Sequence, residues 1–325
     1  MTAMEAKKKE KHRKREIAAL FESVAFTALI FLTAIFFSDE LSDYVAAGLK
    51  ISVRVIIPSV FPFLILTDAS VRFIRFERIG RLRRLFERAF HINGAALPVF
   101  VCGVLCGFPL GAKLALTMHE NGKISKCECE RLMAFANNAS PGYVICAVGL
   151  GMRGRITDGV VLYISMIASS VLVGILSGIN KHKSSNSNFI SWQKYSFSGS
   201  VKSAASVCLN ITGFVTVFSI AVGFVDEVVH SEIVKAFIVP FMEIGNAALY
   251  LSDLCILPDG LTLALTAFSI SFSGLCVSAQ TLSLIGKGVD VSMSDYIPRK
   301  LLQGILAAII AIVISTIQWG CRIAI

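Results

Sequence analysis

Charge is scarce in this chain. Of its 325 residues only 16% are Asp, Glu, Lys or Arg, while 55% are hydrophobic. Soluble domains carry about 25% charged residues, so the shortfall excludes a soluble globular protein and leaves a multi-pass membrane protein. Recognisable chemistry is scarce as well. The sequence has no His-Glu-x-x-His, no P-loop and no Gly-x-Ser-x-Gly. No nucleophile–base set or metal cluster is visible from which a membrane enzyme could be built. His91, His119 and His230 are scattered near expected helix ends. The nine cysteines lie mostly inside apolar stretches, where a thiol behaves as a small hydrophobe. The one close pair, Cys127-Glu-Cys129, lacks the spacing and partner ligands of a zinc site. Neither an enzyme activity nor a metal or other cofactor is expected.

What charge there is sits in clusters. Formal net charge is +9, and residues 7 to 15 read Lys-Lys-Lys-Glu-Lys-His-Arg-Lys-Arg. Seven arginines lie from Arg72 to Arg88. Such runs mark cytoplasmic ends and contacts with anionic headgroups. No nucleic-acid-binding fold surrounds them, so the expected partner is the lipid membrane and not nucleic acid.

The order of apolar segments predicts an all-α protein with about six full spans and two broken or re-entrant helical hairpins. Residues 1–17 form a basic cytoplasmic tail. Residues 18–44 hold a first span and an acidic external loop. The span has the ~20 residues needed to cross, and no small-residue cleavage site follows it. A first repeat covers 45–179, a polar cytoplasmic linker 180–199 and a second repeat 200–325. Within the first repeat, Ile79, Leu82, Phe86 and Phe90 recur at helical spacing among arginines, as in a helix lying on the membrane surface. Residues 92–118 are apolar but punctured by Pro98, Gly103, Gly107, Pro109 and Gly111. They predict a hairpin entering and leaving on the cytoplasmic side, tolerated only where protein or a watery cavity surrounds it. Ser125-Lys-Cys-Glu128 is a capping-box pattern, and Asn137-Asn-Ala-Ser-Pro141 breaks the helix that it opens. In the second repeat Glu232–Ile285 reads as one broken hairpin unit. The loop 286–295 is then external, Ser292-Met-Ser-Asp295 caps the last span, and both termini are cytoplasmic.

The halves also repeat in sequence. One constant shift pairs Gly107 with Gly274, Lys113 with Gln280, Ser125 with Ser292 and Glu128 with Asp295. Matching interruptions in paired hydrophobic segments point to the broken helices of transporters with inverted-topology repeats.

Gly107-Phe-Pro-Leu-Gly-Ala-Lys113, Ile124-Ser125 with Glu128, and Phe135-Ala-Asn-Asn-Ala-Ser-Pro141 resemble the YlbJ-type sporulation membrane proteins of endospore-forming Firmicutes. That family carries the nucleoside-recognition, or Gate, domain found also in spore maturation proteins and concentrative nucleoside transporters. Glu243-Ile-Gly-Asn246 and Phe272-Ser-Gly-Leu-Cys-Val-Ser-Ala-Gln280 look like the matching second-half motifs. They depart from the family where Ser273-Gly274 replaces a usual Gly-Gly pair and Gly245-Asn246 a usual Thr-Asn-Gly. The resemblance implies a transporter-like fold in the cell membrane or a forespore or mother-cell membrane, and a role in spore formation.

The candidate binding residues are those beside the interruptions. Gly107, Pro109, Gly111 and Lys113 place a helix break next to a cation, suited to an anion or to a carboxylate such as Glu243. The alternative is that Lys113 reaches the inner interface and its headgroups. Asn137, Asn138 and Ser140 offer amides and a hydroxyl that can read nucleobase-like or sugar edges, or can simply join helices. Glu243 and Asn246 form the second-half candidate, since an intramembrane carboxylate is commonly functional. Ser273, Gly274 and Gln280 repeat the first hairpin's polar positions without its charge. Lys113 and Glu243 are expected to face one cavity holding a small polar solute, nucleoside-like or anionic, with a coupling ion. A transporter and a non-transporting scaffold of the spore envelope both fit these residues, and a homo-oligomer fits either.

Overall fold

The computed structural model describes residues 24, 27–28, 31, 35, 38–73, 80–179, 196–285, 289 and 291–323, and among these it contains helices and no strand. The first expected span, 18–37, and the basic tail before it lie largely outside the described residues. Helix α1 (Ser38–Ile51) continues through a π turn (Ser52–Ile56) into α2 (Ile57–Phe73). Next come α3 (Gly80–Phe90), a short 3-10 turn (Gly94–Ala96), α4 (Leu97–Cys106), α5 (Leu110–Glu120), α6 (Lys126–Ala136), a π-helix (Gly142–Met152) and α7 (Ile156–Gly178). The second half is α8 (Phe197–Val228), α9 (Glu232–Met242), α10 (Ile244–Asp253), α11 (Asp259–Phe272), α12 (Gly274–Ser283) and α13 (Tyr296–Ile323). Five helices or helix runs are long and apolar enough to cross a bilayer, and α3 with α4 forms a pair bent by 108°.

Local sequence explains where these helices begin. Ser125 accepts the Glu128 backbone N–H while Glu128 Oε2 accepts the Ser125 N–H, a complete capping box. Ser196 and Ser231 cap α8 and α9 in the simpler way, through the N–H groups of Gly199 and Val234. Each side chain satisfies a donor that the first helical turn leaves unpaired. Helix α13 starts at Tyr296, so Asp295 lies just ahead of it and pairs with Arg299 at 3.0 Å instead of closing a capping box.

The arms α4 and α5 have 10 and 11 residues, and α9 and α10 have 11 and 10. At 1.5 Å per residue each is about 15 Å long, half of a ~30 Å hydrocarbon core. Within each pair the arms pack on each other, so both pairs are re-entrant hairpins, with tips at Gly107–Pro109 and at Glu243. Each hairpin is followed by a broken crossing helix. In the first repeat α6 gives way at Asn137–Ser140 to the π-helix, and in the second α11 gives way at Ser273 to α12. A full-length helix then closes each unit, α7 and α13. Contacts between the halves are reciprocal: α7 packs on α11 as α13 packs on α6.

Contacts fix which ends share a face. On one face Arg131, midway along α6, donates to the carbonyls of Phe90 at 2.9 Å and His91 at 2.6 Å, at the end of α3, and of Ser177, near the end of α7, at 3.4 Å. This face carries Arg81, Arg83, Arg84, Arg88, Lys123 and Lys126. On the other face the Tyr44 hydroxyl donates to Glu227 at 2.6 Å, Lys235 pairs with Glu232 at 2.8 Å, and Arg153 pairs with Asp259 at 2.6 Å. The hairpin α4–α5 rises from the basic face and α9–α10 from the acidic one. The two repeats therefore have inverted topology.

This arrangement corrects two expectations. The Ser292 N–H donates to Glu130 Oε1 at 2.6 Å, and Val291 is buried among residues of α3 to α6. The segment 291–295 thus shares the basic face with the end of α7, where the linker 180–199 begins, and is not opposite to it. Helix α13 then runs from the basic to the acidic face, so its end is not on the linker's side. The cause is one miscounted crossing, because Glu232–Ile285 is not a single hairpin unit: α9–α10 is the hairpin, and α11–α12 spans. The repeat also has a different register. By position in the fold Gly107 matches Glu243 and Asn137 matches Ser273, whereas the sequence pairing set Gly107 against Gly274. Glycine and small polar residues recur at every break, so the tip of one element resembles the break of another.

Two predictions follow from this packing. Cysteines placed at Ser294 and at residue 185, in a cysteine-free background, should be labelled by an impermeant reagent from one and the same side. A cysteine at Gly260 should be labelled from the other side, and opposite labelling of 185 and 294 would contradict the arrangement. Gly103 and Gly111 both press on the Ala136 carbonyl, where an added Cβ would collide with backbone. Gly103→Leu should lower stability by about 1–3 kcal/mol or more, measured by thermal melting in detergent.

Candidate functional site

The two hairpin tips and the two helix breaks converge. A cavity of roughly 30 Å³ is lined by Gly107 from the first tip, Ser140 from the first break, Glu243 from the second tip and Gln280 from α12, with Tyr143 and Phe108 beside them. It has room for one or two water molecules. Backbone geometry makes the convergence tight. Gly107 has φ 88 and abuts Ser140, and Gly274 has φ 64 and abuts the Met242 carbonyl. In each repeat a left-handed residue lets the hairpin tip touch the neighbouring helix break. Ser273 is also left-handed, at φ 75, and is fully buried.

Glu243 is 1% exposed and caps α10. Its Oε2 accepts the Asn246 backbone N–H at 2.7 Å and the Asn246 side-chain amide at 3.0 Å. No basic side chain stands within ion-pair distance of it among the described residues. The free N–H groups of a half-helix, with their partial positive charge, hold the carboxylate instead. Asn246 also donates to Ser219 of α8 at 2.9 Å, tying the cap to the scaffold. The Tyr143 hydroxyl is buried in the same cavity and has no hydrogen-bond partner. An unpaired buried hydroxyl costs on the order of 1–3 kcal/mol, and around it the cavity lining is mostly apolar, from Ile56, Val60, Ile211, Val215, Ile244 and Val277.

Beside the cavity lies a network that bridges the repeats. Asn137 Nδ2 donates to Thr281 Oγ1 and to the Tyr296 hydroxyl, both at 3.0 Å. Asn138 Nδ2 donates to the Phe135 carbonyl at 2.8 Å and to Ser170 Oγ at 3.3 Å. Lys300 Nζ donates to the Asn137 carbonyl and to Gln303 Oε1, both at 2.9 Å. Gln303 Nε2 returns a bond to Asn138 Oδ1 at 2.8 Å. Thus α12 and α13 satisfy backbone and side-chain groups freed where α6 breaks.

The structure separates the sequence candidates into groups. Gly107, Ser140, Glu243 and Gln280 line the cavity, and Asn246 supports Glu243. Asn137 and Asn138 belong to the bridging network, with their side chains aimed at α7, α12 and α13. Ser273 and Gly274 shape the second break, Gly111 clamps α6, and Pro109 precedes α5. Lys113 does not join them. It is exposed and does not line the cavity, which corrects the expected meeting with Glu243. Missed in the sequence were Tyr143, Thr281, Tyr296, Lys300 and Gln303. Lys300 and Gln303 carried a signal, a cation and an amide three residues apart at the mouth of an apolar helix. Read along the sequence, Lys300 is a charge flanking the last apolar span.

The chain is similar to the sporulation integral membrane protein YlbJ of Bacillus subtilis (strain 168), with 23% identity over 329 residues, covering 86% of this chain and 79% of that protein. No protein-family model matches the chain, and no solved structure matches it.

Because Lys113 is exposed and Glu243 buried, their substitutions should act independently. In a double-mutant cycle, Lys113→Ala and Glu243→Ala should add within about 0.5 kcal/mol, with melting temperature as the readout. A coupling well above that would restore the pairing expected from sequence.

Proposed function

We propose that this protein carries a small polar solute across a membrane formed during sporulation, by movement of the two hairpins about the shared cavity, and without enzymatic chemistry. The observation that carries this reading is the convergence of two inverted hairpin tips on one buried cavity holding Glu243 and the unpartnered Tyr143 hydroxyl. Broken helices meeting at mid-depth are how secondary transporters build their sites. The resemblance to nucleoside-recognition proteins and the name of the Bacillus relative supply the solute class and the setting. A nucleoside or related polyhydroxylated solute brings donors for Glu243 and a partner for Tyr143. A solute larger than water requires the hairpins to part, and each is pinned by a contact that only glycine permits. A coupling ion would be a second occupant. The basic face is the cytoplasmic one by the bias of lysine and arginine.

A second reading, a non-transporting scaffold of the spore envelope, is favoured by the small size of the cavity. Uptake into proteoliposomes separates the two, using nucleosides, small carboxylates and metal ions as solutes. The transport reading expects saturable uptake of at least one solute, lowered about tenfold by Tyr143→Phe through loss of one hydrogen bond while protein levels stay unchanged. Absence of uptake for every class, with Tyr143→Phe and Glu243→Gln complementing sporulation as well as wild type, would leave the scaffold.

A further inference from the structure

Lys300 is fully buried, with 0% of its surface exposed. No carboxylate lies within ion-pair distance of it among the described residues. Its partners are neutral oxygens: the Asn137 carbonyl and Gln303 Oε1, each at 2.9 Å. The face of the Phe108 ring, from the first hairpin tip, lies 5.9 Å from Nζ. The Asn137 side-chain Oδ1 is buried as well, without a hydrogen-bond partner. Helix α6 ends at this point, so its C-terminal carbonyls present partial negative charge. Carbonyl and amide oxygens gathered at the end of a broken helix are what hold monovalent cations in transporters.

We infer that the Lys300 ammonium is a resident cation: it fills a monovalent-cation site at the break of the first crossing helix, so the protein binds no free cation there. The tethered charge answers the C-terminal end of α6, and Gln303 passes the arrangement on to Asn138 at 2.8 Å. A buried ammonium without a carboxylate is expensive in an apolar interior. Its presence is understandable where the site is built of oxygens suited to a cation. Among the described residues no buried lysine or arginine is bonded at the second break, where the Ser273 hydroxyl donates to the Ser271 carbonyl. The inference rests on the helix break alone and holds whether or not the protein transports a solute.

The test is thermal melting of the purified full chain in detergent, at constant ionic strength, in sodium, lithium, potassium or N-methyl-D-glucamine chloride. Wild type should melt at the same temperature in all four salts. Lys300→Ala should lose roughly 5 °C or more in N-methyl-D-glucamine. It should recover most of that loss, with saturable dependence, in one of the small cations, which bind the vacated oxygens. Lys113→Ala should show no cation dependence. Saturable stabilisation of the wild-type protein by an alkali cation that is retained in Lys300→Ala would overturn the inference. Equal loss by Lys300→Ala in every salt, including complete failure to fold in all of them, would overturn it too.

Discussion

The constraint on which this structure depends is the satisfaction of backbone groups freed inside an apolar body. Four interruptions, at Gly107–Pro109, Asn137–Ser140, Glu243 and Ser273, interrupt helices where no bulk water is at hand. Every unpaired N–H or carbonyl there costs free energy on the order of a lost hydrogen bond or more. The protein meets this in two ways. At the second hairpin tip a carboxylate, Glu243, accepts the orphan N–H groups at the start of α10. At the first helix break an ammonium, Lys300, donates to an orphan carbonyl. Each charge thus answers the end of a helix of opposite partial charge.

These solutions tie the two repeats together. The break in the first repeat is completed by Thr281, Tyr296, Lys300 and Gln303, all from the second. Arg153 adds a link on the acidic face, through Asp259 and Thr262. In a bilayer there is little hydrophobic drive between helices, so close approach of small residues and interhelical hydrogen bonds carry association. Gly103 and Gly111 let the first hairpin press on the Ala136 carbonyl, and Asn137 and Asn138 hold the next residues in place. A hairpin cannot move far without breaking such contacts, so any opening is expected as a switch between discrete packings.

Much of the architecture could be read from residues alone. Scarce charge, the Gly and Pro punctures in 92–118 and the Ser125–Glu128 capping box led to spans, a re-entrant hairpin and a helix start where the structure has them. Gly107, Ser140 and Glu243 stand out because each sits at a break in apolar sequence, and Gln280 because it is the repeat's counterpart of Lys113. What was not legible was the third dimension at those breaks. Lys113 lies four residues beyond the first tip, yet helical geometry turns it outward. Lys300 is distant from every interruption in sequence, and only the crossing of α13 over α6 brings it to one. The register of the repeat was misread for a related reason. The fold repeats hairpin tips and helix breaks, while the residue types that permit them, glycine and small polar side chains, are shared between the two.

The two halves are alike in backbone and unlike in charge, and this difference bears on what the centre can do. Two inverted units built from one pattern would place equivalent groups at equivalent breaks. Here the second tip bears a carboxylate where the first has Gly107. The first break is served by an ammonium, while the second closes on its own serine hydroxyls. A symmetric pair of tips would present a solute with the same chemistry from both sides. Glu243 and Gln280 of the second repeat meet Gly107 and Ser140 of the first at one cavity, whose lining is otherwise mostly apolar. The charge asymmetry of the centre is therefore set by the second hairpin, whose tip alone carries an ionisable group at the cavity. The Tyr143 hydroxyl, buried and without a hydrogen-bond partner, is a polar group that the first repeat sets beside it.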